Sequence, residues 1–254
     1  MSVRLPLRPV PTTAHPAVVD RATWQAACDD LLVREKAHTR EGDALAAARR
    51  RLPMTPVPAQ ARVQGPDGPV PFVDVFEGRT QLIAYFHMWH DGQPPEGQCE
   101  GCTFFTAGIQ RPAYLHSRDV TLVVLCQGTF EESRPYADLV GDELPWYSAR
   151  DAEPLLAGRG FGFFAGYLRL GGDVFETWWG TGRGTEAMSP SYQLLDRTAY
   201  GRQETWEDSP AGWPQLFDAR SGAQFRVAGR PTIQWTVTDV EAAAGSDEHH
   251  AACH

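Results

Sequence analysis

The chain has 254 residues, of which 42% are hydrophobic and 22% charged, as in an ordinary globular protein. Its formal net charge of -9 argues against a general nucleic-acid or anionic-membrane surface, because those partners need an excess of lysine and arginine. The first residues are broken by prolines and lack the apolar core of a signal peptide, and the apolar runs are of strand length. We therefore expect a cytoplasmic protein with no nucleic-acid or membrane partner.

The N-terminal segment, residues 1–53, is predicted to be an arm followed by one helix. Residues 1–19 are proline-rich, and Asp20 can cap a helix that carries apolar residues from Trp24 to Leu32 at helical spacing. The helix continues towards Leu52 and ends before Pro53. Its later part is charged on most faces, so we expect it to be exposed.

The middle segment, residues 54–200, alternates strand and helix patterns. Such alternation predicts a parallel sheet with right-handed crossovers, and the turn at Gly171 and Gly172 adds antiparallel strands that make the sheet mixed. The predicted elements are a hairpin around residues 65–68, strands at 81–89, 119–126, 144–148, 163–170 and 174–178, and helices at 103–116 and 129–140.

The C-terminal segment, residues 201–254, is predicted to be an irregular extension. The glycine-rich stretch 178–184 that precedes it lacks the spacing of a nucleotide-binding loop and is interpreted as a surface loop. Residues 205–213, with Trp206 and Trp213, suggest a lid or a subunit contact, and the tail at 239–254 is expected to be disordered.

Five cysteines in a long chain are not the pattern of a small secreted disulfide framework. Cys99 and Cys102 form a Cys-x-x-Cys pair between a predicted buried strand and a helix. The helix start offers free amides and a positive dipole end, so Cys99 should be the more acidic thiol and Cys102 the resolving one. Cys126 and Cys28 are interpreted as small buried hydrophobic residues.

A metal site is the alternative use of the same pair. His87 and His90 lie just upstream, and imidazole and thiolate ligands suit Cu(I) or Zn(II). The candidate ligands are Cys99, Cys102, His87 and His90. A dithiol reaction requires no cofactor, so the two alternatives differ in metal content.

Several motifs together carry a resemblance to a known family. They span most of the chain and include His15-Pro16, Arg49-Arg50-Arg51-Leu52-Pro53, Phe86-His87-Met88-Trp89, Cys99-Glu100-Gly101-Cys102-Thr103-Phe104, His116-Ser117-Arg118-Asp119-Val120-Thr121 and Pro145-Trp146. In these the chain resembles a bacterial family of unknown function, thioredoxin-like and often described as predicted dithiol-disulfide oxidoreductases or isomerases. The resemblance implies an α/β fold, a thioredoxin-like mixed sheet flanked by helices, with an N-terminal helical extension.

Two departures from thioredoxins bear on function. Thioredoxins place a cis-proline opposite the cysteine pair, whereas the corresponding stretch, residues 159–164, has no proline, and Pro145 precedes an earlier strand. The loop before Cys99 is long and rich in proline, which suggests a pocket for a small molecule near Trp89 and Trp146.

The leading hypothesis is therefore a thiol-disulfide oxidoreductase that acts on a small-molecule or protein thiol or disulfide. The alternatives are a copper- or zinc-binding protein or copper-dependent enzyme, and a binding module in which neither cysteine matters. A second copy of the chain, in a homo-oligomer, is a further candidate partner.

Overall fold

The computed structural model describes residues 14–109, 111–219, 222–227 and 230–234. It begins with a single long helix, α1, at Arg21–Arg49. Asp20 caps the helix by accepting hydrogen bonds from the amides of Ala22 and Thr23. No residue of α1 is buried, so the expectation of an exposed N-terminal helix is confirmed.

The body of the protein is built on one eight-stranded mixed sheet with the order β1-β8-β7-β4-β5-β6-β2-β3. The strands are β1 (Thr55–Val57), β2 (Arg62–Gly65), β3 (Gly68–Pro71), β4 (Gln81–His87), β5 (Val120–Cys126), β6 (Trp146–Ser148), β7 (Phe163–Leu170) and β8 (Asp173–Thr181). A separate two-stranded ribbon pairs β9 (Arg226–Val227) with β10 (Arg230–Pro231).

The four central strands have the arrangement of the thioredoxin fold. β4 and β5 are parallel, β7 lies antiparallel beside β4, and β8 follows β7 as its hairpin partner. A crossover with a helix joins β4 to β5, as the alternating sequence pattern predicted. The α/β, thioredoxin-like mixed sheet expected from the sequence is thus confirmed.

The segment before β4 builds both edges of the sheet. The predicted hairpin is present as β2 and β3, and Gln64 pairs with Ser148 on β6. β1 instead pairs with β8 at the opposite edge. The alternation of apolar residues did not reveal this separation, because short edge strands carry little pattern of their own.

In the described part of the chain, five short α-helices follow α1: α2 (Glu100–Thr106), α3 (Ala113–His116), α4 (Phe130–Val140), α5 (Glu153–Leu156) and α6 (Pro190–Leu195). The single helix predicted for residues 103–116 is wrong, since the chain forms α2 and α3 with a break at Gly108 and Pro112 between them. The helix predicted at 129–140 is confirmed as α4. Thr129 and Glu132 form a capping box at its N-terminus.

Side chains alternate across β4 and separate two cores. Leu82, Ala84 and Phe86 pack into one core, and Tyr85 packs into the other with Cys102 of α2. β4 ends at His87 rather than at the predicted residue 89. The next residues therefore leave the sheet beside α2, which brings them to the cysteine pair.

No helix within the described ranges is long and apolar enough to cross a membrane. The arm at residues 1–13 and the tail at 239–254, with Cys253, lie outside the described residues.

Candidate functional site

Cys99 and Cys102 lie together at the start of α2. Cys99 is the N-cap residue, and the amide of Cys102 donates to its sulfur at 3.4 Å. Cys99 is partly exposed, whereas Cys102 is only 2% exposed. The described cysteines, this pair included, are free thiols.

The environment of Cys99 lowers its pKa to about 7. The main cause is a hydrogen bond from the Cys102 thiol to the Cys99 sulfur, and the amides of Cys102 and Gly101 and the charge of His90 act in the same direction. These favourable contacts to the thiolate outweigh the burial of the sulfur. Cys99 is thus an acidic thiol, as its position before a helix predicted.

Cys102 is the opposite case. Burial, and its contact with Cys99, raise its pKa well above the usual range for a thiol. Two groups nevertheless donate to its sulfur: the Met88 amide at 3.4 Å and the Tyr85 hydroxyl. The buried sulfur therefore has hydrogen-bond donors that stabilise a thiolate once one forms.

The loop before β7 ends in a glycine rather than a proline. Gly162 immediately precedes β7, has a φ of +98°, and lies against the Met88 side chain, whose atoms would approach an added Cβ to 3.4 Å. The stretch 159–164 leads into β7, and its correspondence to the thioredoxin proline stays a prediction. No cis peptide bond occurs in the part of the chain that the structure describes.

A cavity of about 460 Å³ opens beside the pair. Its walls combine apolar side chains with both acidic and basic ones. The lining comprises Tyr85, Met88, Cys99, Gly101, Cys102, Phe105, Gly162, Gly182, Arg183, Thr185, Glu186, Tyr192, Glu204, Trp206, Ala219, Gln224 and Phe225. A volume of this size suits a small molecule.

Sequence reasoning missed the wall formed by residues after β8. The glycine-rich stretch interpreted as a surface loop instead ends β8 and enters a 3-10 helix, Gly182–Met188, that lines the cavity. Phe225 covers Gly101, where an added Cβ would lie 3.4 Å from its ring. The aromatic and acidic composition of residues 205–213 was the available signal, and Trp206 from that stretch does line the cavity.

A buried charge cluster supports this wall. The Arg202 side chain, 5% exposed, pairs with Asp196 at 2.7 Å and with Glu186 at 3.2 Å. Arg183 pairs with Glu186 at 3.0 Å. Glu204, only 3% exposed, accepts instead from the Trp206 indole and from the Tyr192 hydroxyl.

The two tryptophans proposed for a pocket lie elsewhere. Trp146 is 2% exposed and its ring centroid is 5.0 Å from that of His87. Trp89 packs against Gly128 and lies 5.5 Å from the Tyr136 ring. Neither is among the described residues that line the cavity.

The two histidines are also separated. His87 is fully buried, with Nδ1 2.6 Å from the Met88 carbonyl and Nε2 3.5 Å from the Thr103 hydroxyl, and burial lowers its pKa to about 4. His90 is exposed, and its Nδ1 lies 2.8 Å from the Gly97 carbonyl. His90 acts on Cys99 through its charge, whereas His87 belongs to the core.

The metal alternative needs a third ligand beside the two sulfurs. Among the residues that the structure describes, no three His, Cys, Asp or Glu side chains form a group that could hold a metal ion. The residues present therefore do not form a closed zinc site. Metal binding by the pair stays a prediction.

Of the other cysteines, Cys126 is fully buried as predicted, and burial raises its pKa to about 12. Cys28 differs from the prediction: it lies on the exposed helix α1 and is partly accessible. The apolar residues near Cys28 in sequence are likewise not buried, because α1 does not pack against the core.

Comparison with known sequences decides the family. The sequence profile described as "Bacterial protein of unknown function (DUF899)" matches residues 13–154 and 157–220. The chain belongs to this family. The matched part contains both cysteines and Glu204, whereas Phe225 follows it.

Two solved structures are similar to this family member. One is a candidate thiol:disulfide interchange protein DsbE from Chlorobium tepidum, 16% identical, with 54% of this chain and 93% of that chain covered and a TM-score of 0.37. The other is apo Sco1 protein from Thermus thermophilus, 14% identical, with 54% and 89% covered and a TM-score of 0.34. No curated protein matches the chain.

Proposed function

We propose that this protein is a thiol-disulfide oxidoreductase in which Cys99 attacks a disulfide and Cys102 resolves the product. One observation carries the proposal: an acidic, partly exposed thiol and a buried, donor-supplied thiol adjoin each other at the wall of a cavity. Two cysteines that only fill space in the core would not require one acidic, partly exposed thiol beside one buried thiol.

The first step joins Cys99 to the substrate. The Cys99 thiolate attacks one sulfur of a disulfide, the S–S bond breaks, and the released thiolate takes up a proton from solvent. The product is a mixed disulfide between Cys99 and half of the substrate. A pKa of about 7 keeps a large fraction of Cys99 ionised at neutral pH.

The second step releases the other half. The Cys102 thiol loses its proton and its sulfur attacks the Cys99 sulfur, so the mixed disulfide breaks and a second thiol leaves. The substrate disulfide is reduced to two thiols, and the protein dithiol is oxidised to one Cys99–Cys102 disulfide. Two molecules of a thiol reductant, or one of a dithiol, restore the reduced protein.

Tyr85 and Met88 act on the second step. Cys102 has to ionise inside the protein, where burial disfavours the charge. The Tyr85 hydroxyl, whose own pKa is raised by burial, keeps its proton and donates to the Cys102 sulfur, and the Met88 amide does likewise. Tyr85 and Met88 are positioning residues that lower the cost of the buried thiolate.

Trapping the intermediate tests the proposal. With a small neutral disulfide, the Cys102→Ser variant should accumulate a mixed disulfide at Cys99, observed by mass spectrometry of the intact protein and of its peptides. The Cys99→Ser variant should form none. Cys28→Ser serves as the matched control, because this accessible cysteine lies on α1, and it should turn over like the wild type.

Two results would contradict the assignment. Retention of disulfide reductase activity by Cys99→Ser removes the attacking role from this residue. A Cys102→Ser variant that turns over at the wild-type rate without an intermediate removes the resolving role. If both occur, the fold serves a different chemistry.

A further inference from the structure

One wall of the cavity carries an acidic group, Glu204, that has no ion-pair partner among the described residues. Glu204 is 3% exposed and lines the cavity, and its two hydrogen-bond donors, the Trp206 indole and the Tyr192 hydroxyl, are neutral. Among the described residues, no cationic nitrogen lies within 4.0 Å of its carboxylate. A cationic group of a ligand placed at this wall would form an ion pair with the Glu204 carboxylate.

The neighbouring arginines already form ion pairs with other carboxylates. Arg202 is held by Glu186 and Asp196, and Arg183 by Glu186. Glu207 adds a fourth carboxylate, which accepts from the backbone amides of Arg202 and Glu204. Among the described residues of this cluster, four carboxylates thus meet two guanidinium groups.

An acceptor without a hydrogen-bond partner lines the same cavity. The Gln224 side chain lines it, and its Oε1 atom is buried with no partner among the described residues. Glu100 Oε2, at the start of α2, is a second buried acceptor without a partner, and it lines a neighbouring cavity that shares Glu204, Gln224 and Phe225 with the first. A ligand that brings several N–H donors would complement this wall, whereas a carboxylate would add to the surplus of acceptors.

The rest of the cavity limits the size and character of the ligand. Met88, Phe105 and Phe225 supply apolar surface to the cavity that the cysteines and Glu204 also line. The volume of about 460 Å³ suits a small molecule, and the ion pair between Arg226 and Glu100 fastens the covering segment to α2.

We propose that the cavity selects small disulfides that carry an ammonium or guanidinium group, with Glu204 as the residue that determines this specificity. The inference rests on the proposed function, because it assigns a substrate class to the same cysteine pair. The disulfide lies at Cys99 and its cationic group faces Glu204. The redox steps are those described above, with the protein dithiol as reductant and two aminothiols as products.

The test compares three small disulfides of different charge: cystamine (cationic), 2-hydroxyethyl disulfide (neutral) and 3,3′-dithiodipropionate (anionic). Reduction of each by the full chain is measured as kcat/KM. It is divided by the rate of reduction by free dithiothreitol, because the leaving thiols differ in intrinsic reactivity. The normalised value for cystamine should exceed that for dithiodipropionate by at least about tenfold at low salt, and the difference should shrink at high salt.

The Glu204→Gln variant keeps the size of the side chain and removes its charge. Its ratio of cationic to neutral normalised rates should fall towards one. Glu153→Gln is the matched control, since this exposed residue begins α5, whose Leu155 packs in the other core. Its ratio should equal that of the wild type.

Equal normalised rates for the three disulfides in the wild type would overturn the inference and leave the proposed function standing. A preference for the anionic disulfide would do the same. Failure to reduce any of them, with no mixed disulfide at Cys99, overturns both. If Glu204→Gln does not fold, the wild-type ratios decide alone.

Discussion

The acidity of Cys99 depends mainly on one hydrogen bond, from the Cys102 thiol. Replacing Cys102 by alanine removes that donor and leaves the backbone amides in place. We expect the pKa of Cys99 to rise from about 7 towards the ordinary value of a cysteine, about 8.5. The titration of Cys99 in the wild-type protein is the reference for this shift.

The expected rates follow from the two pKa values. At pH 7 a thiol with a pKa of about 7 is roughly half ionised, against roughly 3% for an ordinary cysteine. The more acidic thiolate is a weaker nucleophile, by about fivefold for a difference of 1.5 in pKa. Cys99 should therefore react roughly three times faster than an ordinary accessible thiol at pH 7, and at pH 8.5 it should be the slower of the two.

The assay is alkylation by iodoacetamide between pH 5 and pH 10, with peptide mass spectrometry to follow each cysteine separately. Cys28, which is accessible on α1, is the comparison cysteine within the same sample. A wild-type midpoint above pH 8.5, or a midpoint that Cys102→Ala leaves in place, would refute the hydrogen-bond argument.

Three further outcomes are expected. Tyr85→Phe removes a donor to the buried Cys102 sulfur and should slow resolution roughly tenfold while attack at Cys99 is unchanged, so that rapid quenching shows a longer-lived mixed disulfide. His87, with a folded pKa of about 4 against 6.5 unfolded, binds its proton less readily when folded. Its contribution to stability is full above pH 6.5 and is lost as the pH falls to 4. The free energy of unfolding, measured in urea, should fall between pH 7 and pH 4 by about 3 kcal/mol less in His87→Gln than in the wild type. Protein purified without a chelator should hold less than one zinc per chain, because two sulfurs do not make a four-ligand site; elemental analysis that finds one equivalent, lost in Cys99→Ser, would support the metal alternative.

The central strands and the cysteine pair were predictable because their signals are local. The apolar runs that became β4 and β5, the turn between β7 and β8, and Cys99 before α2 each carry their information within a few residues. The cap at Asp20 and the box at Thr129 likewise fixed two helix starts.

The pocket was harder to predict because its walls come from distant parts of the chain. Glu204 and Phe225 join the cavity lining only after the chain has left the sheet, and no periodic pattern in the sequence indicates that return. Trp146 is the opposite case. The sequence suggested that it lines a pocket, but its side chain packs into the core. Composition marks aromatic and acidic segments but does not say which cavity they line.

The exposed helix α1 has its own stability. With no buried residue, it loses no core packing when it unravels, and its 29 residues exceed the length at which isolated helices become marginal, about 12 to 15. Its amides will exchange with deuterium through local unfolding while those of β4 and β5 require the body to open. A thermal transition followed by helical circular dichroism consequently combines two equilibria, and only a probe in the sheet reports on the domain that holds the cysteines.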